Sequence, residues 1–132
     1  MLDSAGSPAV SLTVGGPAMR ARWARDVSFL AVTTLNGRVE LWDADDGQLL
    51  REVTLGAGSM YPVAVSPDSS LLAAGWDRHV TVWRADASDG NGGSARVDGL
   101  PKGVYTLDFS PDVRLIAQGG ADGRVRIWRV RG

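Results

Sequence analysis

The sequence predicts an all-β fold of three four-stranded antiparallel units, with helix content near zero. Three observations carry this reading. A segment ending in Trp occurs three times at near-constant spacing. A second landmark, closed by a Ser-Pro-Asp turn or a worn version of it, precedes each Trp segment. No long stretch shows the 3.6-residue apolar period of an amphipathic helix.

Taken in order, Val10 to Val14 alternates apolar and polar side chains and reads as a strand. Ala21-Arg22-Trp23-Ala24-Arg25-Asp26 is the worn first copy of the turn landmark. Val63-Ala64-Val65-Ser66-Pro67-Asp68 and Leu107-Asp108-Phe109-Ser110-Pro111-Asp112 are its near copies. The short apolar stretches Leu71 to Gly75 and Leu115 to Gly119 follow as strands. The Trp segments Asn36 to Trp42, Asp77 to Trp83 and Asp122 to Trp128 each open on a turn residue. Each carries apolar residues three and one positions before its Trp. Leu49 to Leu55 and Ala95 to Leu100 supply a fourth strand. The Trp residues lie 41 and 45 positions apart, inside the repeat length of about 40–45 residues typical of four-stranded blades. Most of the extra length falls in Ala87 to Ser94, a Gly- and Ser-rich stretch that reads as a long hairpin loop.

Composition narrows the function classes. Fourteen basic residues face fifteen acidic ones, a net charge of −1. That balance argues against a dedicated nucleic-acid binder. Arg20, Arg22 and Arg25, and Arg124, Arg126, Arg129 and Arg131, read as solvated strand edges and not as a phosphate patch. The absence of cysteine removes disulfides, thiolate metal sites and cysteine nucleophiles. No apolar run approaches the ~18 residues of a membrane span. The first residues lack the charged and apolar regions of a signal peptide. A cytoplasmic protein without membrane contact is the expectation.

Catalytic chemistry finds little support. The lone histidine, His79, sits two residues past Asp77 in a tight turn, and a His-based triad would need a serine and an acid converging on it. The acids fall mostly in turns, where they have structural work. Gly90-Asn91-Gly92-Gly93 lacks the lysine and following helix of a phosphate loop. No enzyme activity, metal or cofactor is expected.

Phe29-Leu30-Ala31, Asn36-Gly37 and Leu41-Trp42-Asp43, with Ser110-Pro111-Asp112, Asp122-Gly123 and Ile127-Trp128, closely resemble the WD-repeat β-propeller family. The resemblance covers nearly the whole chain after about residue 10. It implies propeller blades over about 17–55, 58–100 and 103–132 of one segment, 1–132, the last blade being completed by the strand 10–14. Trp42, Trp83 and Trp128, with Asn36, Asp77 and Asp122, match the family's structural repeat positions. Trp23 takes the place of Val65 and Phe109 and is expected in the core. The Gly-His pair of the family is missing: Gly15-Gly16-Pro17, Gly56-Ala57-Gly58 and Pro101-Lys102-Gly103 stand there instead. Only the first repeat has threonines, Thr33 and Thr34, near the family's hydroxyl position. Trp76 precedes Asp77 where the other repeats have Leu35 and Ala121. By the resemblance it points to the face used for partners, and is expected exposed. Tyr61 and Tyr105 border that face at equivalent positions, with packing between blades as the other reading. The three aromatics are the candidate partner-binding residues.

The resemblance implies a non-catalytic scaffold for a protein or peptide partner. Closed propellers use roughly 4–8 blades, so three blades leave an open arc. Two readings stay open. A homodimer would complete a six-bladed ring, each first strand finishing the partner's last blade. Alternatively, the chain is the C-terminal part of a longer, bacterial-type signalling or regulatory protein, whose propeller acts as a sensor or ligand-binding module.

Overall fold

The computed structural model describes residues 11–43, 45–58, 60–85 and 95–130. Among them the chain forms eleven strands and no helix. The first sheet holds β1 (Ala18–Trp23), β2 (Leu30–Thr34), β3 (Arg38–Asp43) and β4 (Gln48–Thr54) in that order. The second holds β5 (Val63–Val65), β6 (Leu71–Trp76), β7 (His79–Arg84) and β8 (Ala95–Val97). The third has β9 (Val104–Phe109), β10 (Leu115–Gly120) and β11 (Val125–Arg129). All neighbouring strands are antiparallel. The fold class read from the sequence holds, with the third sheet one strand short.

Residues 11–14 are in no strand, and Val10 lies outside the described residues, as does the expected loop 87–94. A strand needs a ladder partner for its backbone groups. In this chain residues 15–17 bond elsewhere: Asn36 Nδ2 donates to the Gly15 carbonyl at 2.8 Å, and Leu35 N to the Pro17 carbonyl at 2.8 Å. The segment is thereby held on the first blade, and the outer edge of β11 has no neighbour among the described residues.

Strand alternation decides how the blades stack. In the second blade Val65, Leu72 and Trp83 are cross-strand partners. They join the core shared with the first blade. In the third, Phe109, Ile116 and Trp128 repeat the row and pack on the second blade. This side of a blade is its rear face. The opposite, forward face of the first blade carries Ala31, Val39 and Leu41, which join the same first core. That of the second carries Ala73, Val80 and Val82. Each interface is thus one forward face against one rear face.

The first rear row is Trp23, Leu30 and Trp42. Trp23, expected in the core, is 53% exposed. No blade precedes it in the described chain, so the face that buries Val65 and Phe109 is open here. Trp42 in the same row is half-buried, whereas its equivalent Trp83 is fully buried. Trp128 is half-buried because it lines a groove left between the second and third blades, beside Val80 and Val82.

The turn landmarks close by a shared set of bonds. Ser66 Oγ donates to Asp68 at 2.7 Å and accepts from Leu71 N at 2.9 Å. Ser110 does the same with Asp112 (2.6 Å) and Leu115 (3.0 Å). Ala24 has no hydroxyl, and that turn rests on Asp26 accepting from Ser28 N at 3.0 Å.

Candidate functional site

One rim of the arc is built from the turns between the second and third strands of each blade and the segments linking one blade to the next. The backbone ties them: Leu55 N donates to the Gly37 carbonyl, Leu100 N to that of Arg78, and Val104 N to that of Asp77. Asp77 adopts a φ of 49°, a left-handed turn conformation that Asp tolerates well. Asn36 accepts from the Thr34 hydroxyl. Asp122 accepts from Arg126 at 2.8 Å, and that guanidinium holds the Asp122 carboxyl below the ordinary carboxylate range. These three equivalent turn positions therefore differ: Asn36 bonds Thr34 and the Gly15 carbonyl, Asp122 bonds Arg126, and Asp77 contributes its backbone conformation.

The aromatic candidates do not form one exposed site. Trp76 is only 7% exposed, a correction to the expected surface position. Its strand parity explains this. It shares a face with Leu72 and Ala74, which pack toward the first blade. Gly56 opens the space: a Cβ there would overlap the indole nitrogen. Tyr61 is also buried. Its hydroxyl donates to the Gly56 carbonyl at 3.2 Å, and its own carbonyl accepts from Thr33 Oγ1 at 2.7 Å. Trp76 and Tyr61 thus converge on Gly56 inside the interface of the first two blades. Tyr105 is 51% exposed. A register shift between Gly119 and Gly120 passes over it, so Val104 takes the buried place against Gly75.

What the rim exposes beside Trp76 is a polar group the sequence reading missed. Arg96 lies over the indole, its Cζ 5.3 Å from the ring centroid, within the range of a cation–π contact. The His79 ring is 5.2 Å from the indole and tilted by 32°. Asp98 accepts from Arg96 Nε at 2.6 Å and lies 2.8 Å from His79 Nδ1. Arg96, then His79, pulls the Asp98 carboxyl below its ordinary range. The pairing of Val80 with Val97 places His79 beside Asp98. That register depends on where the chain returns after residues 86–94, which no local motif encodes.

The rim offers two cations, Arg78 and Lys102, on exposed turns next to this cluster. It can recognise polar and charged groups of a partner. Among the described residues no cluster of three or more His, Cys, Asp or Glu is placed to hold a metal ion. No helix is long and apolar enough to cross a membrane.

The comparisons agree with this architecture. A family model described as WD domain, G-beta repeat matches residues 62–84 and 96–129. The chain is 30% identical over 113 residues to the human WD repeat and SOCS box-containing protein 1, covering 84% of this chain and 26% of that protein. It is 27% identical over 106 residues to the mouse Target of rapamycin complex subunit LST8, covering 80% of this chain and 32% of that protein. It therefore spans between a quarter and a third of these relatives. A crystal structure of the Cps50 (Swd1) β-propeller domain, given as Myceliophteria thermophila, superposes with a TM-score of 0.77 at 16% identity, over 91% of this chain and 38% of that one.

Proposed function

The chain belongs to the WD-repeat β-propeller family, and from that premise we propose that it is a non-catalytic interaction scaffold, three blades of a six-bladed ring completed by a second copy. The observation that carries this reading is a mismatch between equivalent positions. Val39 and Leu41 on the first forward face are 1% and 4% exposed. Their counterparts Val125 and Ile127 on the third are 70% and 66% exposed. A sequence that keeps apolar residues at these open positions is suited to covering them with protein, because soluble monomers seldom expose large apolar patches. The rear face at Trp23 is the matching surface. A forward face meeting a rear face is a heterologous contact, and such contacts build rings when the rotation closes. Curated relatives support protein partners in general, one of them being by name a subunit of a complex. In the assembled ring the rim at Arg78, Arg96, Asp98, Lys102 and Tyr105 is the surface proposed for a further protein or peptide, in a cytoplasmic setting.

Sedimentation velocity of the purified chain tests the assembly. The expected result is a concentration-dependent dimer of the 13.9 kDa chain, abolished by Ile127→Asp without loss of the β-type circular dichroism. A natural chain that folds cooperatively and stays monomeric at micromolar concentration overturns the dimer. The open faces would then need repeats from beyond these residues to cover them.

A further inference from the structure

On the rear face of the first blade, residues 12–17 sit where the second and third blades each receive a preceding blade. Leu12 lies against Gly47 and Gly15 against Arg38 and Glu40, so the segment runs along β3. Gly15 N donates to Glu40 Oε2 at 3.0 Å. Asn36 and Leu35 hold the carbonyls of Gly15 and Pro17. Glu40 shares the rear face with Trp42, two residues on, and accepts from the Trp42 indole at 3.0 Å. Its carboxylate is 2% exposed although no blade lies behind it. Val32 and Thr34, on the same face, are buried as well. At Glu40 the segment supplies cover, because Gly15 sits against the carboxylate and donates to it. Its cover stops short of Trp23, which stays exposed.

We propose that residues 12–17 are a displaceable cap on an interaction surface whose other occupant is the Val125 and Ile127 face of a second copy. The inference rests on the assembly reading above and adds its control. A buried face cannot hold both cap and blade, so the apparent affinity of the second copy falls by the fraction of chains in which the cap is open. The chemistry of the cap suits an exchangeable cover. Three hydrogen bonds to its backbone, two of them made with side chains of the blade, and the small residues Gly15 and Gly16 hold it, with Leu12 and Val14 half-buried. The fit is close: a Cβ on Gly15 would meet the Arg38 guanidinium and the Glu40 carboxylate, and one on Gly16 the Asn36 side chain, so those groups would have to move.

Two variants test the cap from opposite sides. Gly15→Pro removes the N–H that Glu40 accepts and adds bulk at that contact, while leaving every blade residue in place. A Gly16→Cys/Asn36→Cys pair brings two thiols together in a chain with no cysteine of its own, and its disulfide locks the cap down. Sedimentation of the full-length variants is expected to show Gly15→Pro associating at least about tenfold more tightly than the natural chain. The oxidised cysteine pair is expected to associate at least about tenfold more weakly than the same protein after reduction. Association within about twofold in both comparisons overturns the cap. If the natural chain stays monomeric but Gly15→Pro associates, the dimer of the natural chain falls while the cap stands and is the reason for the monomer. If neither the natural chain nor Gly15→Pro associates, with circular dichroism unchanged, the cap proposal falls together with the dimer.

Discussion

The Trp76 indole packs against the bare Cα of Gly56, filling space that any side chain at residue 56 would take. Trp76 ends β6 in the second blade, and Gly56 follows the last strand of the first, so one contact joins two repeats. Gly56→Ala should destabilise the chain by about 1–3 kcal/mol through overpacking. Trp76→Ala should cost about 3–5 kcal/mol through the cavity it leaves. Urea midpoints of the two variants check this. A Trp76→Ala chain as stable as the natural one would return Trp76 to the surface.

Gln118 offers the reverse case. It is fully buried on the rear face of the third blade, and neither its amide nitrogen nor its amide oxygen has a hydrogen-bond partner among the described residues. The aligned residues are Val32 and Ala74, both apolar. An unsatisfied buried polar group costs about 1–3 kcal/mol. Gln118→Leu, close in volume, should therefore raise the thermal midpoint measured by calorimetry. A lowered midpoint would mean that the amide has a role the apolar side chain cannot fill.

The turn landmarks set the response to acid. The Ser66 hydroxyl, then that of Ser70, holds the Asp68 carboxyl below its ordinary range, and the Ser110 hydroxyl does so for Asp112. A carboxyl depressed in the folded state contributes stability that is fully present above its unfolded value. That contribution is lost as pH falls through the lower, folded value. The chain should accordingly hold its stability from neutral pH down to the ordinary carboxylate range and lose it below. A Ser66→Ala/Ser110→Ala chain should start less stable and lose less on acidification. Urea midpoints at about pH 7 and about pH 3 compare the two.

The blades were legible because they repeat. The Trp segments and Ser-Pro-Asp turns mark strand ends on a fixed period, and the second and third sheets follow them closely. Facing was harder to read. Trp76 stands where the resemblance puts a partner-facing residue, yet its parity with Leu72 and Ala74 assigns it to the interface between blades. Tyr61 and Tyr105 matched in sequence but diverged in burial, because the third blade has a register shift at Gly119 and Gly120 that the second blade lacks. The Arg96–Asp98–His79 group was invisible because it forms between β7 and the end of β8, which are far apart in sequence. Trp23 was misplaced for a different reason. Repeat equivalence gives the face a residue points to, but not whether anything lies beyond that face.

That distinction yields the last prediction. Trp23 and Trp83 are both on rear faces, each within a row of cross-strand partners. Trp83 is 3% exposed against the first blade, and Trp23 is open. Removing the Trp83 ring leaves a cavity inside the chain, so Trp83→Ala should cost about 3–5 kcal/mol. Removing the Trp23 ring leaves nothing empty in the single chain, and surface changes of this kind usually stay within about 0.5 kcal/mol. If a second copy covers the rear face, the cost of Trp23→Ala appears in association instead, at about 2 kcal/mol or more for an aromatic hot spot. Urea unfolding at low concentration and sedimentation across a concentration series separate the two effects. Trp23→Ala that unfolds like Trp83→Ala would place Trp23 in the core of a single chain. Trp23→Ala that alters neither stability nor association would remove the rear face from the interface.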